Sequence, residues 1–204
     1  MTPPKILVAG FGPFPGAPGN PSAQLALSLG RSRRAARFAR VRAIVVPTVY
    51  AEVLRLPRLI EREKADGVLM FGLAARTPWL RIETRAQNHA SLLHADAARA
   101  KSSRTLVARA PAMLRINAPV RKLLRAARDA GVQARLSRNA GSYICNAAIF
   151  HALHATRRRP IPIAFVHIPA PRGHARAEKS ALRPAIADVR RAAEAILIAL
   201  AQSC

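Results

Sequence analysis

One of the chain's two cysteines, Cys145, lies in the stretch SRNAGSYICNAAIFHALHA (137–155), where a small glycine-containing loop turns into an apolar helical pattern. At a helix start the first backbone N–H groups lack partners and the helix dipole favours an anion. A thiolate would be stabilised there, which makes Cys145 a candidate nucleophile. Such a nucleophile needs a base, and His167 ends the apolar run IPIAFVH (161–167). Glu83, in LRIETRAQN (80–88), is one of only 10 acidic residues. A carboxylate beside an imidazole nitrogen orients the ring for proton transfer. Each residue also has a plainer role: a small core side chain for Cys145, an ordinary hydrogen bond for His167, an arginine partner for Glu83. Cys204 is the last residue and reads as an incidental terminal thiol. A metal-hydrolase reading would use His151 and His154 in HALH with His167 or His174, but it lacks a nearby carboxylate and any strong zinc spacing. Neither a metal nor a cofactor is expected.

These side chains need a scaffold that brings them together, and the apolar pattern supplies one. KILVAG (5–10) reads as a buried strand, followed by a Gly/Pro loop and by Asn20 and Pro21 as N-cap and first residue of a helix over PSAQLALSLG (21–30). ARVRAIVVPT (39–48) and GVLMFG (67–72) read as further strands, separated by a helical pattern interrupted at Pro57. WLRIETRAQ (79–87) alternates in part and reads as a strand. A helix over APVRKLLRAARDAG (118–131) with a glycine C-cap, a strand at VQARLS (132–137), the cysteine helix, a strand within IPIAFVHIP (161–169) and a final helix of about 20 residues complete the series. That helix sets Ile186, Val189, Ala193, Ile196 and Leu200 on one stripe. Strands alternating with helices predict an α/β fold: one α/β/α sandwich around a mostly parallel twisted sheet, over residues 1–204 as a single domain. In such sheets sites gather at the carboxyl ends of the strands, where both Cys145 and His167 fall.

The chain carries 34 Lys+Arg against 10 Asp+Glu, a formal charge of +24. Its short basic clusters, RSRRAARFARVR (31–42), RKLLRAAR (121–128) and ATRRRP (155–160), are dispersed, and six Phe, two Tyr and one Trp offer little to stack on bases. The charge therefore predicts weak, salt-sensitive binding to any polyanion and no base readout. No apolar run approaches the roughly 18–20 residues of a membrane span. MTPPKILVAG enters a strand-like run without a signal-peptide pattern, so the expected compartment is the cytoplasm.

Four blocks, in order along the chain, resemble the pyroglutamyl (pyrrolidone-carboxyl) peptidases, a cysteine peptidase family. VAGFGPFPGAPGNPS (8–22) is similar to the family's opening block and NAGSYICN (139–146) to its nucleophile block. FVHIP (165–169) is similar to its histidine block, and GLAARTPWLRIETRAQN (72–88) more weakly to the block with the catalytic glutamate. The resemblance implies a Cys145, His167, Glu83 triad acting through an acyl-enzyme on small peptides with an N-terminal pyroglutamate. It also implies a ring-binding slot at Phe11 and Phe14 with Asn20 beside it, and a homo-oligomer, dimer or tetramer. Phe11 and Phe14 serve equally well as core packing, and Asn20 as a helix cap. The family's G-G-R is AAR (74–76) here, Leu73 replaces a polar residue, and Thr84 and Leu93 stand where arginines are usual. These departures imply a slower turnover unless Arg99 or another arginine reaches the oxyanion. Two rivals follow: a relative that removes a different small N-terminal acyl or amide group, and a basic binding protein that keeps the fold with weakened catalysis.

Overall fold

A computed structural model of the chain describes residues 2–14, 17–174 and 183–204. Pro15 and Gly16 of the opening block lie outside the described residues. In chain order the strands are β1 (Lys5–Phe11), β2 (Arg40–Val46), β3 (Gly67–Leu73), β4 (Leu80–Glu83), β5 (Arg85–Gln87), β6 (Met113–Arg115), β7 (Ala134–Ser137) and β8 (Ile163–Ile168). The α-helices are α1 (Pro21–Gly30), α2 (Tyr50–Val53), α3 (Leu56–Arg62), α4 (Val120–Asp129), α5 (Ile144–Ala155) and α6 (Ile186–Ala201).

Six strands form one sheet in the order β2-β1-β3-β8-β4-β7. Its pairings are parallel except where β4 meets β8. The unbroken apolar runs of β1, β3 and β8 are buried on both faces, as central strands between two helical layers must be. Alternate residues serve opposite cores. Ile6, Val8, Leu69, Phe71 and Val166 pack with Leu25 of α1, Leu123 of α4, and Ile196 and Leu200 of α6. Leu7, Ala9, Val68, Met70 and Phe165 pack on the other face with Val53, Ile60 of α3, and Ile149 and Phe150 of α5.

Local sequence sets the helix ends. The Asn20 side chain caps α1 by accepting from the Ser22 amide at 3.1 Å, and Pro21 occupies a first-turn position that needs no amide donor. The helical pattern around Pro57 divides into α2 and α3, with Pro57 in the first turn of α3. Gly131, at φ +81°, turns the chain after α4. The last helix is shorter than the pattern predicts. It has 16 residues, and Ile186, in its first turn, is 50% exposed rather than on the buried stripe of Val189, Ala193, Ile196 and Leu200.

The expected strand over residues 79–87 is two strands. The chain leaves the main sheet at Thr84, whose amide and hydroxyl both donate to the Ser137 carbonyl at 2.8 Å. β5 then pairs antiparallel with β6 in a separate ribbon. At three residues each, these strands are too short to show a period.

Candidate active site

Sheet register gathers the site. Arg81 pairs with His167 across the antiparallel β4–β8 contact, and Gly72 pairs with His167 across β3–β8. Directly opposed residues point to the same face, and Glu83, two residues beyond Arg81, shares that face by strand alternation. His167 Nδ1 lies 2.8 Å from Glu83 Oε1. This is the only side-chain hydrogen bond of His167 among the described residues. A carboxylate accepts only, so Nδ1 donates; in the neutral ring this leaves the lone pair on Nε2. The Glu83 side chain is fully buried. Burial pushes its carboxyl up, but the His167 hydrogen bond and charge, with the Arg81 guanidinium, outweigh that and hold it below the usual carboxylate range.

Cys145 is the second residue of α5, and the loop before it turns at Gly141, with φ +82°. Cys145 and His167 line one cavity of about 200 Å³, walled by Phe11, Phe14 and Tyr143 and edged by Asn20, Thr48 and Leu73. Of the predicted site residues, Cys145, His167, Phe11, Phe14 and Asn20 line this cavity, whereas Glu83 does not line it and is joined to it through His167. Phe165 backs the site, its ring 4.7 Å from that of His167 and 6.0 Å from that of Phe11.

The ionisation of the thiol differs from the sequence expectation. Burial and the Glu83 carboxylate push Cys145 up to about 12, against the opposing pull of its own helix-start amide and of Arg81. Desolvation thus opposes the thiolate that the helix start favours. A protonated thiol reacts only if a base takes its proton as it attacks, and His167 lines the same cavity.

The asparagine beside the cysteine is a clamp. Asn146 accepts from the Gln87 amide at 2.8 Å and donates to the Gln87 and His89 carbonyls at 2.8 and 2.9 Å, binding the segment after Glu83 onto α5, the helix that carries Cys145. Asn20 is almost fully engaged, donating to the Gly12 carbonyl at 3.0 Å while Ser22 occupies its oxygen. Arg99 is exposed in a turn held by Asp96 and does not line the cavity; Leu93 is 85% exposed. The arginine that touches the site is Arg81, 3.1 Å from Glu83 Oε1. Its position two residues before Glu83 on a strand was the available signal. Gly72, the last residue but one of β3, sits at a close approach, a role glycine often marks, whereas Thr48 and Tyr143 carry no such signal. His151 and His154 gather no metal-binding group among the described residues, and a His154 ring nitrogen sits 3.2 Å from the Arg157 guanidinium.

Comparison with known proteins shows the family. The family model for pyroglutamyl peptidase matches residues 4–202. The pyrrolidone-carboxylate peptidase of Deinococcus radiodurans is 32% identical over 171 residues, 82% of this chain and 78% of that protein. The corresponding protein of Thermococcus kodakarensis is 33% identical over 168 residues, 81% of each chain. Among solved structures, pyroglutamyl peptidase I of Bacillus amyloliquefaciens superposes with a TM-score of 0.86 at 22% identity, covering 98% of this chain and 97% of that one. The pyrrolidone carboxyl peptidase of Thermococcus litoralis gives 0.86 at 25% identity, covering 98% and 94%. With a family match spanning nearly its whole length and relatives above 30% identity, the chain belongs to the pyroglutamyl peptidase family.

Proposed function

We propose that the protein removes an N-terminal pyroglutamyl residue from peptides, with Cys145 as nucleophile, His167 as acid and base, and Glu83 as the group that orients the imidazole. The observation that carries this reading is the buried Glu83–His167 contact of 2.8 Å on the wall of the cavity that holds the Cys145 thiol. The names of the relatives supply the substrate class.

As Sγ attacks the pyroglutamyl carbonyl carbon, His167 Nε2 takes the thiol proton and the C–S bond forms. Negative charge gathers on the carbonyl oxygen, where the Cys145 amide at the helix start is a ready donor. The C–N bond then breaks, and the imidazolium returns its proton to the departing amine, leaving a thioester. Water, deprotonated by the same imidazole, cleaves the thioester to free pyroglutamate and restores the thiol. Glu83 stabilises the imidazolium formed in each half. A flat, uncharged lactam suits a small cavity walled by Phe11 and Phe14, with Asn20 at its edge.

The wider expectations belong to this proposal: one peptidase domain over residues 1–204, a dimer or tetramer, weak salt-sensitive binding to polyanions, and a cytoplasmic location. No helix among the described residues is long and apolar enough to cross a membrane. The reading is tested with fluorogenic amides of pyroglutamate, proline and alanine. Release from the pyroglutamyl amide alone is the expected result. Preference for the prolyl or alanyl amide would assign the site to a different N-terminal group, and no release from any would favour a binding role.

A further inference from the structure

Arg81 sits where three segments of the site meet. One of its guanidinium nitrogens, Nη2, lies 3.1 Å from Glu83 Oε1 and 3.0 Å from Ser137 Oγ, and it also donates to the Asn139 carbonyl. Asn139 opens the loop that delivers Cys145. The turn is shaped by the Asn139 amide on Ser137 Oγ at 3.2 Å and the Gly141 amide on Asn139 Oδ1 at 2.9 Å. We propose that Arg81 is a positioning residue, tying the Glu83 carboxylate to the loop that delivers Cys145 so that orienting group and nucleophile are held as one unit. The role rests on the Cys145, His167, Glu83 assignment above.

Charge balance gives the second reason. Glu83 is fully buried and its Oε2 has no hydrogen-bond partner among the described residues, so Oε1 carries the contacts to both His167 and Arg81. A guanidinium is always charged, so Arg81 is the permanent cation in contact with the buried carboxylate. The other groups facing Glu83 are the Cys145 thiol on α5 and the uncharged Ser137 hydroxyl on β7. The Arg81 side chain is only 24% exposed, so its field is weakly screened.

The test uses Arg81→Met and Arg81→Lys in a Cys204→Ala background, which leaves one thiol to follow. Two quantities are measured: kcat and KM on pyroglutamyl amide, and the rate of Cys145 alkylation by iodoacetamide between pH 6 and 9. For Arg81→Met, kcat is expected to fall roughly 10- to 100-fold with KM little changed, as for other removed supporting groups. Alkylation at pH 8 should slow about tenfold, because the guanidinium that favours the thiolate is gone. A purely structural role would not move that rate at equal melting temperature. Arg81→Lys should alkylate within about threefold of the native protein yet lose about tenfold in kcat, because the shorter, more flexible lysine keeps the charge but does not fix its nitrogen between Glu83, Ser137 and Asn139 as Nη2 is fixed. Native alkylation and native kcat in either folded variant would overturn the role. If the unmodified protein spares pyroglutamyl amide while Arg81→Met still slows alkylation, the substrate assignment fails and the role of Arg81 stands.

Discussion

Replacing Gly72 with alanine is expected to cut peptidase activity on the order of 100-fold in a chain that still folds. A Cβ at this position would lie 2.8 Å from Phe165 Cζ and 3.0 Å from Cys145 Sγ. Phe165 cannot retreat, being fully buried and packed against Phe11 and His167. The thiol at the cavity edge is what gives way. A shift of about 1 Å in a reacting atom costs on the order of 100-fold in rate, while the extra methyl costs about 1–3 kcal/mol of stability. The check is kcat/KM on pyroglutamyl amide beside a thermal melt. Activity within about twofold of native would show that Sγ has room to spare.

Alanine at Gly10 should damage the fold itself. The added Cβ would fall 2.1 Å from the Ser22 carbonyl oxygen, 2.6 Å from its carbon and 2.8 Å from Ala23 Cα, all backbone of the first turn of α1. No side chain can swing aside there, so the helix must move. Ser22 Oγ accepts from the Phe11 amide at 3.1 Å, so that movement also pulls on the aromatic wall of the cavity. The loss should reach about 3 kcal/mol or more, at the upper end of overpacking penalties. For a chain of this size that lowers Tm by about 10 °C. A melt unchanged within about 2 °C would mean that α1 docks more loosely than its contacts imply.

Both glycines show what the sequence could and could not announce. β1, β3 and β8 were legible because strands buried on both faces need continuous apolar residues, and α1 because Asn20 and Pro21 mark its start. Cys145, His167 and Glu83 could be chosen because chemistry restricts which residue types can act as nucleophile, base and orienting group. The β5–β6 ribbon was hidden, since three-residue strands carry no period and their pairing is set by the chain's exit at Thr84. The upward push of burial on the Cys145 thiol was hidden for a different reason. A helix start can be read from sequence, but the desolvation that opposes it depends on packing from β3, β8 and the aromatic wall. Arg81 was in plain view among 34 basic residues, and only the β4–β8 register distinguishes it from the solvated ones.

The central claim is that peptide-bond cleavage passes through a thioester on Cys145. Mixing the protein with excess pyroglutamyl ester, quenching in acid within the first turnovers and mapping the peptides by mass spectrometry tests it most directly. The expected result is one pyroglutamyl group on the peptide that contains Cys145, lost on incubation without substrate and absent from Cys145→Ala, which should also fail to turn over. Acylation confined to Cys204, or turnover persisting in Cys145→Ala, would contradict the account.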